Sequence, residues 1–551
     1  MLLGLRDALR SGDVFVPGSR RYADPTSYLM TPEQWGSQRL EFCRLVEKSH
    51  DADQALAAVE DELHTALDDL EGALASGTGA VRLNEQGELV IPPLSAESIP
   101  EAAEALRIDL MEMLPPTQIA SLLIEIDRRT HFSDHLTHAG GKMTRSPELL
   151  RNLYAVLIAQ ACNLGLTAMA GASGIPYDVL AWTADWYFRE DTLRPASAAV
   201  VNHHHRLPMS QLWGTGTLSS SDGQRFPTRG KSITARALSR YFVEEGISSY
   251  THVSDQHSTY GTKVIVVTDR EAHYVLDEIL GNLTDLPITE HATDTHGVTL
   301  VNFALFDLVG MQLSPRIRDL GKVTLYRTGT KAAFTSRYPK AGPLLTGKID
   351  KALIARHWDD LLRLAASLKF GHVTASLIVG KLSASDRQNA VAAALKEYGA
   401  LRCTIFAARY LTDEAYRRRI TRQLNKGENL HALRRDIHFA HEGHVRHRYL
   451  EQQTEQALCL TLVTNAIVTW MTEYLGLAVG KLRAEGREVD DELLVHISPA
   501  HHENVILYGS YPIEVERELA ELEQTSYRSL REPARGKRDT TAVNGRFSAT
   551  G

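Results

Sequence analysis

The sequence predicts a mixed α/β unit set between two mostly helical regions. Three observations predict it. Before about residue 200, apolar residues recur at helical spacing, as at Ile119, Leu122, Leu123 and Ile126. Near Leu207 the texture changes to short β-branched runs, of which "TKVIVVTD" is the strongest. From Ile349 helical patterns return and continue to about Glu473.

The elements follow in order. Thr31-Pro32-Glu33-Gln34 combines a Thr cap, Pro in the first turn and Gln at the capping-box position, so a helix starts there. "AVRLNEQGELVI" predicts a hairpin turning on Asn-Glu-Gln-Gly. "PPTQIASLLIEIDRR" opens the next helix, and two more run from Ser146 to Met169 and from Tyr177 to Arg189. In the α/β unit, "MSQLWGTGTLSSSD", "GISSYTHVSD", "TKVIVVTD" and "PITEHATD" read as strands, while "ARALSRYF" reads as a strand or a helix. "EAHYVLDEILGNL" and "LVNFALFDLVG" read as helices and "KVTLYR" as a last strand. "HWDDLLRLAASL", "SDRQNAVAAALKEYG", "TDEAYRRRITRQL" and "GENLHALRRDIHF" predict the later helices. Residues 534–551 lack periodicity and are expected to form a disordered tail.

Composition bounds the function. At 551 residues, 43% hydrophobic and 23% charged, the chain has material for more than one domain with a sizeable core. A net charge of −8 excludes a uniformly basic nucleic-acid binder, though not a basic face. None of the four cysteines (Cys43, Cys162, Cys403, Cys459) forms a CxxC pair, so neither a cysteine zinc site nor a disulfide framework is supported. The start "MLLGLRDALRSGD" meets charge too early for a signal peptide. The apolar stretch "ALCLTLVTNAIVTW" is too short to span a bilayer. A soluble intracellular protein with no membrane partner is expected.

Three acids stand out. Asp222 and Asp294 each end a predicted strand, 72 residues apart, and Glu428 opens a predicted helix in "LNKGENLHALRR". Carboxylates so placed can converge at one sheet edge and hold hard cations, which take oxygen ligands. Two such ions about 3.5–4 Å apart activate a water or a 3′-hydroxyl and stabilise the leaving oxygen of a phosphodiester. Each acid also has a plain reading. Asp222-Gly223 suits a tight turn, Asp294 a helix cap, and Glu428 the favourable end of a helix dipole. With 68 acids in the chain, spacing alone does not choose between these readings.

The surrounding segments do. "WGTGTLSSSDGQRF", "YTHVSDQ", "TDTHGVTLVNFALFDLVG", "SPRIRDLG", "LNKGENLHALRR" and "FAHEGHVRHRYLEQQTEQALCLTLVTNAIVTWMTEYL" together resemble the replicative transposases of the Tn-three family. "LRSGDVFVPGSRRYADPTSYL", "NLGLTAMA", "WYFREDTLRPASAAVVNHH" and "ISPAHHENVILYGSYPIE" match the same family in the same order, so the resemblance reaches about residue 525. It implies a ribonuclease-H-like catalytic core, with a helical insertion at about 340–415 ahead of the glutamate helix. It also implies two Mg²⁺ ions, with Mn²⁺ as substitute, held by Asp222, Asp294 and Glu428 as catalytic residues. The implied reaction is nicking at transposon 3′ ends and joining to target DNA by a homodimer in the bacterial cytoplasm, on the nucleoid, with no small-molecule substrate. The division that follows is a helical linker and dimerisation region at 1–200, a catalytic domain at 201–465, a helical region at 466–533 and the tail at 534–551. Family members are longer, and the part that grips the inverted repeats lies before Met1. The chain therefore reads as a C-terminal portion, with a non-catalytic dimerising remnant as the alternative.

Around the acids, Gln224, Arg225, Arg316, Arg318, Arg422, Lys426, His431, Arg434 and Arg435 are candidate DNA contacts, because guanidinium groups hold phosphates bidentately. His431 and Arg435 share a helix face with Glu428. Lys322 is a further phosphate candidate, with an ion pair from Arg316 or Arg318 to Asp319 as the plain reading. The run "RRRITRQLNK" reads as a DNA-facing basic surface. Consecutive His203, His204 and His205 share no face, so a joint metal site is not expected. His252, His257, His291 and His296 lie near the aspartates, and His296 is a candidate DNA or loop contact. Asp255 is a rival second carboxylate or a supporting group.

Overall fold

The structure, a computed structural model, describes residues 5, 8–9, 14–19, 22, 24–77, 81–95, 97–141, 146–229, 236–237, 245–266, 271–294, 298–317, 323–383 and 390–532. The expected tail at 534–551 and Arg318, Lys322, Asp319 and His296 lie outside the described residues.

A central sheet organises the chain. Its strands are β1 (Leu218–Pro227), β2 (Glu245–Ser254), β3 (Thr259–Val266), β4 (Glu290–Thr293) and β5 (Gln312–Pro315). The spatial order is β3-β2-β1-β4-β5, and the two-residue strand Arg236–Ala237 also pairs with β2. β1, β2 and β3 form an antiparallel meander, whereas β4 and β5 run parallel to β1. The β2–β3 connection is tight because Ser254 N donates to Ser258 O at 2.8 Å and His257 takes φ +67°. Parallel neighbours need longer crossovers, and these are helical. Glu271–His273 and Val275–Leu280 lead into β4. A helix at Leu300–Leu308 leads into β5, and the Thr299 hydroxyl caps it by accepting from Asn302 N.

Seven of the described helices build the two cores around the sheet: α1 (Ala52–Ser76), α2 (Ile119–Thr130), α3 (Glu190–His205), α4 (Leu300–Leu308), α5 (Ala390–Thr412), α6 (Glu414–Ile437) and α7 (Leu450–Ala484). Side chains alternate across strands, so the sheet feeds two cores. Phe226, Ile247, Val253 and Val264 pack in one core with Leu430 and Leu433 of α6 and with α2 and α7. Tyr250 and Ile265 pack in the other with Val301 and Phe306 of α4 and with α1 and α5. At the crossing of α5 over α4 the backbones nearly touch. A Cβ at Gly399 would stand 1.8 Å from the Leu300 carbonyl oxygen, so only glycine fits.

The Thr31 capping box and the hairpin pairing Arg82–Leu83 with Leu89–Val90 form as expected. Other elements differ. Asp222 does not follow a strand at a turn; it sits mid-strand in β1. "MSQLWGTGTLSSSD" becomes extended only at Leu218, after a helical turn at Pro208–Gln211. Glu428 does not open a helix. "TDEAYRRRITRQL" and "GENLHALRRDIHF" are one helix, α6, which starts where Asp413 caps Tyr416 N. "KVTLYR" contributes only Tyr326–Arg327, which pairs with Gly347–Lys348 outside the central sheet. The fifth strand is instead Gln312–Pro315. The boundary expected at 465/466 falls inside α7. By length and composition α7 is long and apolar enough to cross a membrane, but its most apolar window is wholly buried in this fold, as suits a core helix.

Candidate active site

The parallel register of β1 and β4 sets Ser221 opposite Thr293. The next residues, Asp222 and Asp294, therefore emerge side by side. α6 lies across the same sheet face and is tied down on both sides of Glu428. Gln423 Nε2 donates to Ser220 Oγ and to Val253 O, each at 3.1 Å, and Gln224 Nε2 donates to His431 O at 2.8 Å. Lys426 adds a third tie, its amine donating to the carbonyls of Trp213 and Asp255. Between these ties a cavity of about 140 Å³ opens, lined by Ser220, Asp222, Thr251, Val253, Asp294, Arg316, Leu424, Gly427 and Glu428. The three singled-out acids thus share one cavity.

Its electrostatics are unbalanced. The Asp222 carboxyl is pushed up to about 6, first by burial and further by the negative charges of Asp294 and Glu428, with the Gly223 N–H and Arg225 opposing. The side chain still keeps 41% of its surface exposed, and so faces the open space. His431 Nδ1 lies 3.8 Å from Asp222 Oδ2, and its Nε2 is hydrogen-bonded to Thr251 Oγ1 at 2.8 Å. Burial and the neighbouring Arg434 and Arg435 hold this imidazole down to about 3, so it is neutral at physiological pH and brings no counter-charge. The wall offers carboxylate and hydroxyl oxygens, the donor set of a hard divalent cation. Among the described residues no three His, Cys, Asp or Glu side chains stand close enough to enclose an ion.

The expected DNA contacts divide. Gln224, His431 and Arg434 are buried beneath the cavity rather than turned outward, and Arg434 is completely enclosed. Lys426 points inward, and burial lowers its amine to about 8. Arg422 is bound to Glu97 and Arg225 lies 3.6 Å from Glu271. Arg316 lines the cavity, and Arg435 is exposed on α6. In the basic run, Arg417 is buried, Arg418 is paired with Glu414 and Arg419 with Glu290.

The remaining candidates are structural. His203, His204 and His205 diverge to Glu473, Thr472 and Gln256. Asp255 lies off the cavity and accepts from Gly216 N at 2.9 Å. His252 and His291 stack 5.3 Å apart, buried, and His291 bonds Ser219 and Ser221. His257 is buried against Trp213. Sequence reasoning missed Ser220, Thr251, Val253, Leu424 and Gly427 in the cavity wall. Ser220 was recoverable, because residues two apart on a strand share a face.

The chain matches the family described as Tn3 transposase DDE domain over residues 121–511. It is 39% identical over 540 residues to the transposase for transposon Tn501 of Pseudomonas aeruginosa, covering 96% of this chain and 53% of that protein. It is 40% identical over 538 residues to the transposase for transposon Tn21 of Escherichia coli, covering 96% and 52%. The transposase for transposon gamma-delta of Escherichia coli K12 is 34% identical over 520 residues, covering 93% and 51%. The chain spans about half the length of the curated relatives it matches. On the extent of the domain match, the chain belongs to the Tn3 transposase family.

Proposed function

We propose that this chain is the catalytic part of a DNA transposase that nicks transposon 3′ ends and joins them to target DNA. One observation carries the reading: Asp222, Asp294 and Glu428, from a mid-strand, a strand end and a mid-helix position, line one cavity. The strand order β3-β2-β1-β4-β5, with an antiparallel meander and two parallel strands, supports a ribonuclease-H-like core. The helices at about 340–415, ahead of α6, would be the insertion. On this reading 1–200 serves linkage and dimerisation, 201–465 catalysis, 466–533 a helical C-terminal region and 534–551 a tail. The partners are transposon ends and target DNA, acted on by a homodimer in the cytoplasm.

Asp222, Asp294 and Glu428 would hold two Mg²⁺ ions, for which Mn²⁺ substitutes. Bound there, divalent cations supply Lewis-acid activation of the attacking oxygen and stabilisation of the leaving one. The protein's own contribution is placement. The β1–β4 register holds the two aspartates adjacent, and the ties at Gln423, Lys426 and His431 hold Glu428 over them. Arg316 lines the cavity where a phosphate would be bound, and Arg435 offers an exposed cation on the same helix as Glu428.

The test uses pre-cut inverted-repeat ends with purified protein. Mg²⁺- or Mn²⁺-dependent nicking or joining, lost in Asp222→Ala, supports the reading. Self-association without any metal-dependent DNA chemistry overturns it in favour of a non-catalytic dimerising module.

A further inference from the structure

We infer that Arg434 is a positioning residue that locks α6 to β1 and so sets the separation of Glu428 from Asp222; this rests on the catalytic reading of the cavity. Arg434 has 0% of its surface exposed, and among the described residues no carboxylate is ion-paired with it. A buried guanidinium held only by neutral groups is a poor route to stability, since apolar residues of like volume serve a core better. What it gains is geometry. Its planar fork donates in three directions: Nε to Gln224 Oε1 on β1 at 2.9 Å, Nη1 to Thr461 Oγ1 on α7 at 2.8 Å, and Nη2 to Ser249 Oγ on β2 at 3.2 Å.

These bonds force the next one. Gln224 Oε1 is taken by Arg434, so its amide nitrogen must face the other way, where it donates to His431 O at 2.8 Å. Gln224 lies two residues after Asp222 on the same strand face, and His431 three after Glu428 on the same helix. The path Arg434–Gln224–His431 therefore fixes both the rotation of α6 and its position along β1. The Thr461 anchor is fixed as well, because its hydroxyl donates to Ala457 O and is bonded to Thr262 Oγ1. Lysine keeps the charge but lacks the fork, so it cannot hold three acceptors in one plane.

The experiment compares full-length wild type, Arg434→Lys and Gln224→Ala in two ways. Mn²⁺ affinity is measured by calorimetric titration, and the metal-free Asp222–Glu428 carboxylate separation by crystallography. The expected result is cooperative melting in both variants, with Mn²⁺ affinity about tenfold or more weaker and a changed carboxylate separation. Affinity within twofold of wild type together with an unchanged separation overturns the inference. If Arg434→Lys fails to fold, Gln224→Ala decides by the same criteria. If wild type itself binds no Mn²⁺, the metal reading of the cavity fails, and the metal-free separation alone decides the role of Arg434.

Discussion

Gly427 on α6 lies against Ser220 on β1: a Cβ at position 427 would stand 3.9 Å from Ser220 Oγ, in ordinary van der Waals contact, and meet no nearer atom. A glycine in a helix interior costs about 1 kcal/mol relative to alanine, and nothing steric demands it here. Both residues line the cavity with Asp222 and Glu428. Gly427→Ala is therefore expected to raise thermal stability by about 0.5–1 kcal/mol while its methyl group, set in the cavity wall, weakens Mn²⁺ binding and strand nicking. Calorimetry and Mn²⁺ titration on the same preparation check both. Unchanged metal binding in a stabilised variant would show that the cavity space at Gly427 is not used.

Asp222 carries a charge that the metal-free protein resists. Its carboxyl is raised to about 6, so the folded state keeps a proton that the unfolded chain releases near pH 4. Stability from this proton is present below pH 4 and lost as pH rises through 6, after which the ionised group is a burden. Asp222→Asn is expected to melt above wild type at pH 7.5 in the presence of a chelator, and equal to it below pH 4. With 41% of the side chain exposed, solvent screening holds the gain to about 1 kcal/mol or less. Added Mg²⁺ should erase the difference by stabilising wild type alone. A variant no more stable than wild type at pH 7.5 would contradict the crowding of charge at this site.

Buried histidines give the opposite dependence. Burial lowers His204 and His431 to about 3 and His252 and His438 to about 4, and holds His257 and His291 well below the ordinary value. Each stays neutral when folded and takes a proton when unfolded below about pH 6.5. Stability from these groups is full above that pH and falls as pH drops toward 4, by about 1.4 kcal/mol per group and pH unit. Denaturant melts at pH 7.5, 6 and 5 should show a steep loss that outweighs the gain from Asp222. A flat profile would mean that these rings are protonated in the fold.

The crossing of α5 over α4 makes a prediction remote from the cavity. At Gly399 a methyl group would meet the Leu300 carbonyl oxygen at 1.8 Å, and backbone cannot swing aside as a side chain can. Gly399→Ala is expected to destabilise the protein by about 2–3 kcal/mol, despite the better helix propensity of alanine. A denaturant midpoint equal to that of wild type would show that the two helices do not pack this closely.

The particular errors show which information was local. Asp294 was legible because "EHATD" ends a strand and needs no distant partner to do so. Asp222-Gly223 looked like a turn because that pair favours turns. The pair is instead held extended by its partner strand, with Asp222 opposite Thr251 and Gly223 opposite Tyr250 on β2. β5 is four residues long and ends in proline, so its strand character comes from pairing with β4 rather than from periodicity. Glu428 reads as opening a helix in "LNKGENLHALRR" but sits within α6. Gln423 ties this helix to β1 and β2, and Lys426 ties it to the carbonyls of Trp213 and Asp255 beside the strands. Arg434 reads as a DNA contact because a guanidinium can hold a phosphate bidentately, yet it is fully buried. The partners that hold it inside, Gln224, Ser249 and Thr461, lie on distant segments that helical periodicity does not reveal.

The most direct measurement is an anomalous-scattering map of crystals grown with Mn²⁺, for wild type and Asp222→Asn. The expected result is density in the cavity bounded by Asp222, Asp294 and Glu428 in wild type, and its loss or weakening in the variant. Manganese bound elsewhere with this cavity empty, or undiminished density in Asp222→Asn, would contradict the claim that these three acids form one cation site.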